Sequence, residues 1–302
     1  MIAVLGATGA QGGSVVRALA ASGQYTVRAV TRNPASDASR ALVSAYPEGV
    51  VELAKADQDD VESLRSAFEG CEGVFAVTNF WEHWGKEKQQ GINTVDAAFD
   101  AGVKHFIFSG LENVRKQTNG TIVVPHFDIK GEIEDYAQEK NFPIFTSVRL
   151  AFYYQNFIAY FPPRKQEDGT YSIGFPQGDV PMAAIDVEDL GGIVLALFQG
   201  GDKYNGQRIG VSGDEVPIQE YCDIISDVAT EGKTPVTFQH IPEEVFGKFE
   251  FPGADEFAQM FKYYREYKPD RSPERTRELY PGTKTFRQFA EAHREQFAAA
   301  FQ

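Results

Sequence analysis

The stretch "IAVLGATGAQGGSVVRAL", residues 2–19, sets a short apolar strand against a helical pattern and places Gly6, Gly9 and Gly12 at the junction. Glycine suits such a junction because the turn can require positive φ, the backbone must come close to a pyrophosphate, and the helix must pack tightly on the strand. The helix start then offers N–H groups and the positive end of its dipole to an anion. The spacing is G-x-x-G-x-x-G, a departure from the tighter G-x-G-x-x-G fingerprint, and three glycines alone would also serve a purely structural turn. Their place at the first strand-to-helix junction, ahead of a βαβ unit, favours a nucleotide cradle.

Outward from this stretch, the first half alternates β-branched or aromatic runs with longer helical patterns, the sequence form of a mainly parallel sheet. The strands expected are "IAVLG", "YTVRAVT", "VVELAKA", "GVFAVT", "HFIFSG" and "FPIFTSVR". Helices are expected near 11–21, 35–45, 60–68, 86–101 and 125–139. The fold class that follows is α/β, a doubly wound parallel-sheet Rossmann domain that binds NAD(P), with a smaller α/β lobe. The domain spans 1–150 and the lobe 151–302, with a segment near 183–212 returning to the main sheet: "AAIDVEDLGGIVLALF" reads as a helix and "RIGVSG" as a strand. "KQEDGTYSIGFPQGDV" reads as a hairpin turning at Asp168-Gly169.

Charge and cysteine usage narrow the function. The net charge of -14, from 29 Lys and Arg against 43 Asp and Glu, repels phosphate backbones and anionic membranes. Direct nucleic-acid binding and membrane binding are therefore disfavoured, and any anionic ligand must be held at a local basic spot. The two cysteines, Cys71 and Cys222, stand outside any C-x-x-C spacing, so neither a disulfide framework nor a metal site is indicated. With no basic leader pattern and no long apolar run, a cytoplasmic and also nuclear location is expected.

About twenty residues past the last glycine, an NAD-selective fold offers an acidic side chain to the ribose 2′-hydroxyl. Here the second strand ends "VTRNP", and Arg32, followed by Asn33, brings a planar cation that can pair with a 2′-phosphate. NADP(H) is the cofactor this implies; a solvated strand-end arginine is the plainer alternative. Later strands end in Asp57-Gln58, in Thr78-Asn79-Phe80 and in Ser109-Gly110. Ligands of this fold collect at those ends, although each Asn or Asp alone would also be an ordinary turn former.

"VPHFDIKGEIEDY", residues 124–136, carries the chemistry in question. In a nucleotide-dependent reductase of the short-chain type this helix presents Tyr-x-x-x-Lys; here Lys130 stands in its place and His126 stands where the phenol is expected. Pro125 favours a helix start, so His126 and Lys130 lie four apart on one face. A neutral imidazole is a poor acid but can donate a hydrogen bond to a carbonyl. Tyr136 is no substitute, since it points about 120° away around the helix. Were the protein an enzyme, Lys130, His126 and Ser109 would be its catalytic residues.

These residues resemble the NmrA-like branch of the atypical short-chain dehydrogenases/reductases and, within it, the NADP(H)-sensing HSCARG type. The resemblance lies in "GATGAQGGSVVRAL", "VRAVTRNP", "DQDD", "VTNFWE", "FSGLEN", "HFDIKGEIE", "TSVRLAFYYQN", "GDVPM" and "FPGADEFAQMFKYY", nearly the whole chain in order. It implies a Rossmann domain with a smaller lobe over a cleft, binding NADP(H), often without demonstrated dehydrogenase chemistry. It also implies a redox sensor that engages regulatory protein partners, transcription factors among them, and leaves room for a homodimer. The cofactor positions it implies are Gly6, Ala7, Thr8, Gly9, Ala10 and Gln11, then Arg32, Asp57, Gln58, Thr78, Asn79, Phe80, Lys130, Tyr153, Tyr154, Gln155 and Asn156. A further family lysine falls nearest to Lys88 in "GKEKQQG". Two functions stay open: a non-catalytic NADP(H)-binding regulator, and an NADPH-dependent reductase of a small hydrophobic carbonyl or enone. For the regulator, "NFWEHWGKEKQQG", with Trp81 and Trp84, is the candidate moving segment.

Overall fold

Strands buried on both faces read as continuous apolar runs, and helices that cover them carry an apolar stripe. The computed structural model, which describes residues 1–82 and 85–302, shows both. Trp84 of the candidate moving segment, with His83, lies outside the described residues. The chain runs β1 (Ile2–Val4), α1 (Ala10–Ala21), β2 (Val27–Thr31), α2 (Asp37–Ser44), β3 (Val51–Lys55), α3 (Val61–Phe68) and β4 (Gly73–Ala76). It continues α4 (Glu87–Asp100), β5 (His105–Gly110), α5 (Val114–Gln117), α6 (Pro125–Glu139), β6 (Ile144–Leu150), β7 (Phe152–Tyr153), α7 (Asn156–Ala159), β8 (Arg164–Lys165), β9 (Tyr171–Phe175) and β10 (Met182–Ile185). The remainder is α8 (Leu190–Gly200), β11 (Gln207–Val211), β12 (Asp214–Val216), α9 (Ile218–Thr230), β13 (Val236–His240), α10 (Glu243–Phe246), α11 (Ala254–Tyr267), α12 (Pro273–Leu279), α13 (Phe286–Ala292) and α14 (Arg294–Ala298).

Two units divide the chain. The first comprises Met1–Asn113, His126–Arg149 and Glu188–Ile209; the second comprises Val114–Pro125, Leu150–Val187 and Gly210–Gln302. Residues 114–125, placed in the first domain by the sequence, group with the second unit, where the Tyr263 phenol donates to Gln117 at 2.6 Å.

The first unit is built on a sheet of order β11-β6-β5-β4-β1-β2-β3. Every pairing among β1 to β6 is parallel. The α/β doubly wound fold is therefore observed, and the strand order reverses between β1 and β4, where such sheets open a crevice at the strand C-termini. β1, β4 and β5 are buried throughout, as strands covered on both faces must be, whereas edge strand β3 is only partly covered. Phe106 stacks on Phe142 at 4.8 Å within the core that also holds Phe68, Val95 and Phe145.

The second unit holds two three-stranded sheets, β12-β10-β7 and β13-β9-β8. The hairpin expected at Asp168-Gly169 is β8 against β9, with Gly169 at φ 86° and Asp168 accepting from the Thr170 N–H at 2.9 Å. Its core is aromatic: Phe175 stacks on Phe261 at 4.8 Å, and Tyr221 meets Phe286 at 4.9 Å. Both cysteines are buried free thiols, and burial pushes Cys222 up to about 12. Among the described residues no helix is long and apolar enough to cross a membrane.

Candidate functional site

At the crevice between β1 and β4, Leu5 donates its N–H to Phe75 O at 3.0 Å, which carries β1 to the turn. Gly6 then adopts φ 61°, a left-handed conformation that a side chain would strain, and Gly9 donates to Gly6 O at 2.8 Å. A Cβ on Gly12 would lie 2.2 Å from Gly6 O, so the first turn of α1 rests directly on the preceding loop. Among the described residues no side chain caps α1, and no acid stands in its first turn. By contrast, α2 is capped by Ser36 and α3 by Asp60. A helix start left bare in this way, on a glycine turn, fits a pyrophosphate by the chemistry of its donors. Ala7 is buried, Gln11 half-buried, and Thr8, Gly9 and Ala10 are exposed. Ala7 and Thr8 also border an open pocket of about 300 Å³ that reaches Leu42 and Tyr46.

Side chains just past the ends of β2, β3 and β4 divide into three groups. Arg32 reaches Glu82, its Nη2 donating to Oε1 at 2.5 Å, and Asn79 donates to the same carboxylate at 3.2 Å. Asn33 and Asp57 act as turn formers: Asn33 Oδ1 accepts from the Ala35 N–H at 3.2 Å, and Asp57 Oδ1 from the Asp59 N–H at 2.9 Å. Gln58 turns inward, its amide donating to Val77 O at 3.3 Å and to Thr94 Oγ1 at 3.2 Å.

The lysine end is a closed polar cluster. Lys130 Nζ donates to Thr78 O at 2.8 Å, Thr78 Oγ1 at 2.9 Å and Glu87 Oε1 at 2.6 Å, one acceptor for each proton of the ammonium. The Thr78 hydroxyl in turn donates to Glu87 Oε1 at 2.6 Å. Glu87 is fully buried, and its Oε2 has no hydrogen-bond partner among the described residues. Such an ion pair survives burial only because each charge answers the other. Sequence reasoning missed Glu87. Lys88, the family lysine expected in "GKEKQQG", pairs with Glu132 at 2.8 Å on an exposed surface. The signal was a carboxylate opening a helix, where the dipole favours it, but an acid there is most often solvated.

His126 is buried among rings, 5.3 Å from Trp81, 5.9 Å from Phe80 and 4.8 Å from Phe127. Ser109 is buried near the end of β5, opposite Val148 of β6. Tyr136 points elsewhere, as its position on the helix requires, and donates to Asp96 at 2.7 Å. The register of α6 is held by Glu134, one turn past Lys130. Its buried carboxylate accepts from Arg149 at 2.5 Å, Ser147 at 2.5 Å and Arg208 at 2.8 Å.

In the second unit, Tyr153 is half-buried in β7. Tyr154 is enclosed by Phe286 at 5.1 Å and Phe289 at 5.4 Å, and burial raises its phenol far above the ordinary range. Gln155 donates to Asp186 at 2.6 Å, and Asn156 opens α7 with its carbonyl accepting from Tyr160 at 3.0 Å. Tyr154 and Gln155 thus serve the packing of their own unit.

A model described as the NmrA-like family matches residues 1–290. The chain belongs to the NmrA-like family. A NmrA-like family domain-containing protein of Dictyostelium discoideum is 31% identical over 275 residues, 88% of this chain and 87% of that one. The NmrA-like family domain-containing oxidoreductase FrzB of Cladobotryum sp is 38% identical over 235 residues, 70% of this chain and 68% of FrzB. Among solved structures, the negative transcriptional regulator NmrA in complex with NADP superimposes with TM-score 0.81 at 25% identity, covering 96% of this chain and 94% of that one. The same regulator is also solved in complex with NAD. The family expected from the motifs is thus the family found.

Proposed function

We propose that this NmrA-like protein binds NADP(H) and works as a redox-responsive regulator, without dehydrogenase chemistry of its own, its state being read by a protein partner. The observation that carries this reading is the contrast between a bare phosphate cradle, with Arg32 at the end of β2, and a Lys130 ammonium whose protons are already taken by Thr78 and Glu87. A cradle in this state receives a dinucleotide, whereas an ammonium so engaged is poorly placed to hand a proton to a substrate. The complex of NmrA with NADP supports the choice of cofactor, and that protein's role as a transcriptional regulator supports the kind of function. The net charge of -14 argues that any link to transcription runs through a protein and not through DNA. A cytoplasmic and nuclear site of action fits such a role.

Calorimetric titration of the purified chain with NADPH, NADP+ and NADH tests it. The expected result is binding of both phosphorylated dinucleotides in preference to NADH, with no NADPH consumption across quinones, enones and aldehydes. Absence of that preference overturns the reading.

The second reading, an NADPH-dependent reductase of a small hydrophobic carbonyl or enone, is favoured by one observation: FrzB, the more identical of the two relatives above, is named an oxidoreductase. In that case the dinucleotide would supply the hydride. Lys130, backed by Glu87, would supply the proton, and His126 and Ser109 would orient the carbonyl. NADPH-dependent turnover of such a carbonyl, lost in a Lys130→Ala chain that still binds NADPH, would establish it.

A further inference from the structure

Arg32 faces a carboxylate of its own chain. Glu82 accepts from the Arg32 guanidinium at 2.5 Å through Oε1 and from the Asn79 amide at 3.2 Å through Oε2, so one carboxylate bridges the ends of β2 and β4. A guanidinium binds carboxylate and phosphate through the same planar fork of donors, and it cannot serve both fully at once. An acidic side chain at this edge of a dinucleotide fold is also the usual acceptor for a ribose 2′-hydroxyl. The two side chains are 52% and 41% exposed, which leaves the pair weak enough to open.

We propose that Glu82 sets the balance between NADP(H) and NAD(H) in this protein, as a tethered anion that a 2′-phosphate must displace from Arg32 and that a 2′-hydroxyl leaves in place. The inference rests on the dinucleotide reading above and adds to it the residue that tunes selectivity. In the sequence an acid is sought about twenty residues past the glycines, at the end of the second strand. Here the cation stands at that position, and the acid arrives from the segment after β4, 50 residues further along the chain.

The test is a double-mutant cycle on the full chain, with dissociation constants for NADPH and NADH measured for wild type, Glu82→Gln, Arg32→Ala and the double variant. Glu82→Gln is expected to raise the ratio of the NADH constant to the NADPH constant by about threefold to fivefold, the scale of an exposed ion pair. In the Arg32→Ala background the same substitution is expected to leave the ratio within about 1.5-fold, because the partner is gone. Equal tightening of both dinucleotides by Glu82→Gln overturns the proposal, since that is the mark of general charge relief. Persistence of the ratio change without Arg32 overturns it too. A wild-type chain that binds NADPH while its Glu82→Gln ratio is unchanged ends this inference alone; a wild-type chain that binds neither dinucleotide ends the parent reading with it.

Discussion

At the start of α1 the first unit presents backbone, while at the starts of α4 and α6 it closes side chains on one another. The phosphate end is made of Gly6, Gly9 and Gly12 and an uncapped helix. The lysine end is made of Thr78, Glu87 and Lys130, a desolvated pair with 12% and 1% of the side chains exposed. A backbone cradle depends on small residues and little else. A buried charge cluster depends on each of its members, because removing one strands the others. The first therefore tolerates change in the side chains beside it, whereas in the second Lys130 is held by Glu87, and His126, not a phenol, stands four residues before it.

The largest effect should come from breaking the lysine end on one side. Lys130→Ala leaves the Glu87 carboxylate buried without its cation and is expected to cost about 3–5 kcal/mol in urea denaturation. Lys130→Met with Glu87→Leu removes both charges and should recover most of that loss; a single variant as stable as wild type would show that the cluster is not closed.

Breaking the phosphate end should cost somewhat less stability and all of the binding. In Gly12→Ala the new methyl meets Gly6 O at 2.2 Å, and overpacking against backbone costs up to about 3 kcal/mol. Full NADPH affinity in that variant would remove the turn from the site.

A third measurement isolates the N-terminal end of the strands, opposite the strand ends that carry both sites. His105 opens β5, buried against Phe198 at 4.8 Å, and burial lowers its pKa from 6.5 to about 4 against a weaker opposing pull from Asp202. Between these values the unfolded ring holds the proton and the folded ring does not, so stability is complete above pH 6.5 and falls as pH drops towards 4. The loss at pH 4 should approach about 3 kcal/mol, and His105→Leu should flatten that part of the profile while leaving NADPH binding at pH 7 unchanged. An unaltered slope would place the acid sensitivity at the charge cluster.

The smallest effect sharpens the phosphate end itself. Arg32→Glu exchanges attraction for repulsion at the 2′-phosphate and should weaken NADPH by about tenfold or more while sparing NADH. Equal losses for both dinucleotides would move the discriminator elsewhere.

Much of the fold was legible residue by residue. "VRAVT" and "HFIFSG" read as strands because β-branched and aromatic side chains suit a pleated, covered surface, and both are strands in the parallel sheet. The turn at residues 6–12 was legible because glycine's missing Cβ is a property of the residue alone. The site was legible only as a set of strand ends. Asn33, Asp57 and Gln58 stand where a ligand would be met, yet their side chains serve turns and neighbouring strands. Lys88 carried the right charge in the right segment, but its immediate neighbour Glu87 is the residue that faces Lys130.

Periodicity and turn chemistry, both written locally along the chain, were enough to establish a doubly wound α/β fold and its glycine turn. Folding in three dimensions decided which acid meets which base: Glu87 finds Lys130 across 43 residues, and Glu82 finds Arg32 across 50. The physical reason is that propensity acts between sequence neighbours, while the pairing of charges acts through space and depends on distance and desolvation, which exist only once the sheet has brought the strand ends together.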